Sequence, residues 1–152
     1  MSKATLYFDD LNEDFEVKTG RRTIQWEDVQ LFGRLTGDDH PLHMDQEYAA
    51  TTPYGAPIAH GALVLSIAIG LVYEATQQVN VLEAFTQLRW RFKAPVMIGD
   101  SIWVQLRYHS KRSMPGYHGG LATFDVTIRN QRDEIVQQGQ WTALLRSRPQ
   151  NA

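Results

Sequence analysis

A dense group of acid–base side chains occupies Gly37-Asp38-Asp39-His40-Pro41-Leu42-His43-Met44-Asp45, where six of nine residues are charged, His or Gly. Pro41 fixes its own φ and removes a backbone donor, which favours a rigid loop. A carboxylate and an imidazole held in such a loop can share one water: one group takes its proton while the other delivers a proton elsewhere. Asp38 and His43 are the residues for that work, provided both come within about 3 Å of the water. Spacing alone leaves two other readings open. Asp38 can cap a turn while His43 lies on the surface, since Asp after Gly is a common turn residue. Asp38, Asp39, His40, His43 and Asp45 are also potential metal ligands, with His60 as a more distant addition, although no second His/carboxylate cluster follows nearby.

A second group follows at Ile58-Ala59-His60-Gly61-Ala62. It opens an apolar segment that reads as a helix. A helix start offers unpaired N–H groups and the positive end of the dipole. Gly61 lets a carbonyl approach the backbone closely, so the helix start suits an oxyanion; the plainer role for Gly61 is tight helix–sheet packing. Ser66 is the only polar side chain between Ala62 and Leu71. Its hydroxyl is placed either to orient Asp38 or to bond back to its own helix, the commoner fate.

These groups need elements to hold them. Asp14 to Lys18 alternates as a first strand, and Thr19-Gly20 reads as a turn. Gln25 to Thr36 predicts a helix with Trp26, Val29, Phe32 and Leu35 on one face, acids near its start and Gly37 as its stop. A short helix is expected over Gln46 to Ala50. The breaker-rich Thr51 to Pro57 precedes Ile58 to Glu74, which is apolar nearly all round and must be wrapped by other elements. Four strands follow, over Thr86–Phe92, Ser101–His109, Leu121–Arg129 and Ile135–Leu145. Turns are expected at Ile98-Gly99-Asp100, Pro115-Gly116, Gly119-Gly120 and Asn130 to Asp133. Consecutive strands with short connections predict an antiparallel sheet packed on one buried helix, an α+β architecture. The ends, about 1–13 and 147–152, read as loosely ordered.

The chain of 152 residues suits a single domain. Fifteen Lys+Arg against 17 Asp+Glu give a formal charge of −2, which speaks against a general nucleic-acid binder. Lys111-Arg112 with Arg107 and Arg146 reads as a solvated strand face in preference to a site for a phosphorylated carrier, and Trp90, Trp103 and Trp141 read as core or dimer-interface packing in preference to a nucleotide-stacking platform. With no cysteine, disulfides and thiolate chemistry are excluded. The first residues lack the apolar run of a signal peptide, and the longest apolar segment is shorter than the roughly 20 residues a bilayer needs. A cytoplasmic protein without membrane contact is expected.

Thr36 to Asp45 together with Tyr54-Gly55-Ala56-Pro57-Ile58-Ala59-His60-Gly61 resembles the hydratase motif of the MaoC-like dehydratases, which include the R-specific 2-enoyl-CoA hydratases. The stretch Arg91 to Asp100 is similar to the same family's pattern, and the resemblance runs from about Trp26 to Leu145. It implies a hot-dog fold, a long central helix wrapped by a curved antiparallel sheet, in a homodimer or dimer of dimers. It implies water addition to a trans-2-enoyl thioester, or the reverse, without a cofactor or metal; the coenzyme A thioester is the substrate. By resemblance, Asp38 and His43 hold and activate the water, and the backbone near Gly61 holds the thioester carbonyl, with His60, Ser66 and His40 around the substrate. His40 stands where the enoyl-CoA hydratases often carry Asn, a departure that bears on the substrate more than on the reaction. The fold also hosts thioesterases and non-catalytic binding subunits; the motif favours hydration. Acyl chain length, carrier and direction stay open.

Overall fold

The computed structural model describes residues 6–76 and 81–151. Two short strands, β1 (Glu16–Lys18) and β2 (Arg22–Thr23), lead into helix α1 (Trp26–Thr36), short helices α2 (Pro41–Met44) and α3 (Gln46–Ala50), and the long helix α4 (Gly61–Ala75). Four long strands follow: β3 (Leu82–Phe92), β4 (Ser101–Ser113), β5 (Gly119–Asn130) and β6 (Ile135–Arg146). They form one sheet in the order β1-β4-β5-β6-β3, with β2 also on β4, every pairing antiparallel. Helix α4 packs against this sheet in the hot-dog arrangement, an α+β architecture as expected.

Side-chain alternation builds the core. Ile102, Val104 and Leu106 of β4 point inward, joined by Ala122, Phe124, Val126 and Ile128 of β5 and by Trp141, Ala143 and Leu145 of β6. Leu63, Val64, Ala68 and Leu71 of α4 meet them. Each large side chain so buried contributes roughly 1.5–3 kcal/mol.

Several expectations are corrected. Helix α4 begins at Gly61, not Ile58, because Ile58 is drawn into a bridge with Met97 and the Ala59 N–H bonds the Val96 carbonyl at 2.8 Å. The helix is not wrapped all round within one chain: Ala62, Ser66, Ile69, Gly70 and Tyr73 form an open stripe at helical spacing. On α1 the inward face is Val29, Phe32 and Gly33, while Leu35 is 78% exposed. Three-residue steps drift against a 3.6-residue turn, so Leu35 lies about 120° from Val29. The described part of the N-terminal segment is anchored: Phe8 and Leu11 are buried, and Lys111 Nζ donates to the Phe8 carbonyl at 3.0 Å. Gly119 and Gly120 open β5 instead of making a turn, and a Cβ on Gly120 would come within 2.6 Å of the Phe8 ring. At the other end the Ser147 N–H bonds the His118 carbonyl, and Arg148 pairs with Asp10. Residues 1–5 and 152 of the expected loose ends lie outside the described residues.

Candidate active site

Three separated stretches of sequence meet at Ile58. Its N–H reaches the Leu42 carbonyl at 3.4 Å, it bridges Met97, and its carbonyl accepts a hydrogen bond from His43 Nδ1 at 2.7 Å. A carbonyl only accepts, so the hydrogen sits on Nδ1 and Nε2 of His43 keeps its lone pair. Burial, the largest influence, pulls the His43 pKa below its usual 6.5; His60 and His40 act in the same direction, while the Ile58 carbonyl and Asp38 oppose them. The structure therefore prepares a neutral imidazole, the form that accepts a proton.

Gly37 ends α1 in the left-handed conformation at φ 81° and turns the chain into an exposed Asp38. A carboxylate oxygen of Asp38 and one ring nitrogen each of His43 and His60 lie within 4.8 Å of one another. That separation suits a water bridging two groups better than direct contact between them. His40 caps α2, its Nδ1 accepting from the Leu42 N–H at 3.0 Å, and its ring stands edge-on to Tyr48.

His60, expected beside the substrate, is instead 2% exposed and stacked on His43 with ring centroids 4.0 Å apart. Ser66 does not turn toward Asp38: its hydroxyl donates to the Ala62 carbonyl at 2.7 Å, back onto its own helix. Gly61 is the first residue of α4, and the first intrahelical bond there runs from the Val64 N–H to the His60 carbonyl. The N–H groups from Gly61 onward precede that bond and face out of the helix end. A Cβ on Gly61 would come within 2.8 Å of the Phe92 ring, so the glycine admits Phe92 against the helix start.

The residue that sequence reasoning missed is Gln137. It is 2% exposed, accepts from Trp90 Nε1 at 2.8 Å and donates to the Gly61 carbonyl at 3.0 Å. It ties the start of α4 to β3 and β6. Val136 and Gln137 are both buried because the β5–β6 register shifts at Val136, a break in alternation that no local pattern announces. The basic cluster is largely engaged within the chain: Arg107 pairs with Glu16, Arg146 with Glu83, and Lys111 with the N-terminal carbonyls. Among the described residues, no helix is long and apolar enough to cross a membrane.

One long helix against an antiparallel sheet, with a half-buried His43 and an exposed Asp38 gathered near the helix start, is the hot-dog arrangement. The model of the MaoC like domain matches residues 12–127, more than half of the chain, and the chain belongs to that family. A 3-hydroxybutyryl-CoA dehydratase of Methylorubrum extorquens is 34% identical over 104 residues, covering 66% of this chain and 62% of that protein. An (R)-specific enoyl-CoA hydratase of Rhodospirillum rubrum is 33% identical over 99 residues, covering 63% of this chain and 65% of that protein. Both matches span less than two thirds of the relative. A solved structure described as a monoamine oxidase regulatory protein from Archaeoglobus fulgius superposes with a TM-score of 0.91 at 35% identity, covering 98% of this chain and 99% of that one.

Proposed function

We propose that this chain hydrates a trans-2-enoyl-CoA, or dehydrates a 3-hydroxyacyl-CoA, with Asp38 and His43 as the pair that handles the water. The observation that carries this reading is the placement of Asp38 and His43 within one-water reach of each other, with His43 locked in the Nδ1–H tautomer by Ile58. Asp38 orients the water. His43 Nε2 takes its proton as the oxygen bonds the β-carbon, and the resulting imidazolium, beside the Asp38 carboxylate, returns a proton to the α-carbon. The sum is one water added across the double bond. The N–H groups at the start of α4 hold the thioester carbonyl and stabilise the enolate that forms between the two steps. No cofactor enters the reaction.

Two copies of the chain assemble in this proposal. Leu82, Phe85, Leu88 and Phe92 of the edge strand β3 are 43–61% exposed, and Ile69 and Tyr73 lie open on α4. A long apolar edge is a liability unless another chain covers it. Light scattering on the purified protein is expected to give a dimer or a multiple of one, and a monomer at micromolar concentration would remove this part.

The test of the reaction is hydration of short and medium trans-2-enoyl-CoA substrates, with His43→Ala alongside and product chirality determined. Turnover that requires His43 and yields the R-3-hydroxyacyl product supports the reading. Thioester hydrolysis in place of hydration would overturn it.

A further inference from the structure

We infer that His60 is a positioning residue, a buried imidazole that aligns Asp38 and His43 with each other and with the start of α4. Its kinetic consequence rests on the proposed hydration; its structural consequence does not.

The Nε2, the ring face and the backbone carbonyl of His60 each engage a different piece of the site. Its Nε2 donates to the Asp38 carbonyl at 2.8 Å. Its ring lies on the His43 ring at 4.0 Å and 27°, with Phe32 at 4.9 Å. Its own carbonyl accepts the Val64 N–H, the first bond of α4, and the next residue is Gly61. At 2% exposure its side chain does not reach a substrate bound at the mouth.

The need for such a residue follows from how the two reacting groups are carried. Asp38 sits on an exposed loop, and His43 sits in a helix of four residues. Neither support is stiff by itself, because short helices gain little from their own hydrogen bonds. Displacement by about 1 Å can cost roughly 10²-fold in rate. One buried ring that bonds the loop and stacks on the helix removes the relative motion of the two.

The polarity of the ring carries the same message. Among the described residues, Nδ1 of His60 has no hydrogen-bond partner. A buried polar atom left unpaired costs on the order of 1–3 kcal/mol. A phenyl ring fills similar space without that cost, so an imidazole here is explained by the Nε2–H that holds Asp38.

Two substitutions separate the two contacts. His60→Phe keeps a ring beside His43 and removes the donor to Asp38. His60→Gln keeps an amide donor and removes the stacked ring. Both are compared with the unmodified chain for thermal unfolding, for kcat and KM in enoyl-CoA hydration, and for the NMR signals of the Asp38 amide and the His43 ring nitrogens. In either folded variant kcat is expected to fall about 10²-fold, with KM held within about threefold because His60 does not touch substrate. The Asp38 amide is expected to shift in His60→Phe, and the His43 ring signals in His60→Gln. If His60→Phe does not fold, His60→Gln carries the comparison. A raised KM at unchanged kcat would show substrate contact and overturn the inference, as would unchanged kcat in folded variants. If the unmodified chain hydrates nothing, the NMR signals alone decide: movement of Asp38 and His43 upholds the positioning role although the reaction fails, and stationary signals overturn it.

Discussion

The two ends of α4 are built on opposite plans. At its start, near Gly61, directional bonds converge: His43 to the Ile58 carbonyl, His60 to the Asp38 carbonyl, and Gln137 to the Gly61 carbonyl. Toward its far end, Glu74 lies exposed in the last turn and Thr76 caps the helix, but the pocket beside it is almost wholly apolar. An apolar cavity of about 360 Å³ is lined there by Leu11, Phe15, Ile69, Tyr73, Phe85 and Trp141, among others. Directional bonds fix positions, while apolar contacts fix volume and stability. Substitutions at the first end should therefore change rate at constant stability, and those at the second should do the reverse.

The largest effect is expected at the polar end. Asp38→Asn keeps size and shape but removes the charge that, in the proposed reaction, orients the water and balances an imidazolium on His43. Turnover is expected to drop by about 10²–10⁴-fold. The melting temperature should stay near that of the unmodified chain, because Asp38 is exposed. Unchanged turnover in a steady-state assay would remove Asp38 from the chemistry. The same variant sharpens the electrostatics: Asp38 raises the His43 pKa, so His43 should titrate lower in Asp38→Asn when followed by NMR.

The apolar end supplies the converse. Leu71 is 9% exposed on the core side of α4. Leu71→Ala removes buried methyl groups beside a region that already contains a cavity, and should cost about 2–5 kcal/mol of stability. Turnover of a short enoyl substrate, measured well below the melting point, should hold within about threefold. A large loss of kcat without loss of stability would mean that the two ends are not separable.

The same contrast explains what was legible in the sequence. Asp38 and His43 stood out because six of the nine residues from Gly37 to Asp45 are charged, His or Gly, and α4 stood out because an apolar run has few alternatives. The α+β architecture followed from strand periodicity. The errors lie where a long-range contact overrides a local pattern. Gly119 and Gly120 look like a turn until β6 pairs with both and Phe8 packs on Gly120, and Ile58 looks helical until β-type pairing with Met97 claims it. Gln137 and His60 were the hardest to read. Their roles depend on a partner 76 residues away in the first case and 22 in the second, which no local window contains. Ser66 was ambiguous for a related reason: a helix carbonyl one turn back competes with any distant partner.

Acid should act more gradually than either substitution. His43 is held below its usual 6.5, so the neutral form persists further into acid than for a free histidine. The acid limb of kcat/KM is expected to have its midpoint below 6.5. Stability follows the same group. In the unfolded chain histidine takes up its proton first, so the contribution of His43 is complete above the unfolded value. It is lost as pH falls from there through the folded value. Urea midpoints should thus decline as pH falls below 6.5. An acid limb centred above 6.5 would place another group in control.

The smallest effect is expected from removing metal ions. Asp38, His43 and His60 bring three potential ligand atoms within 4.8 Å, and on composition alone that trio resembles a site. The ring geometry opposes it. An imidazole binds a metal along its in-plane lone pair, and a shared ion must lie near both ring planes. The His43 and His60 rings are stacked 4.0 Å apart at 27°, so an ion in the plane of one lies off the plane of the other. One nitrogen of each ring is also committed to a carbonyl, of Ile58 and of Asp38 respectively. Dialysis against a chelator should leave hydration unchanged. A loss of turnover restored by a divalent ion would require the stack to open, and would convert His60 from a positioning residue into a ligand.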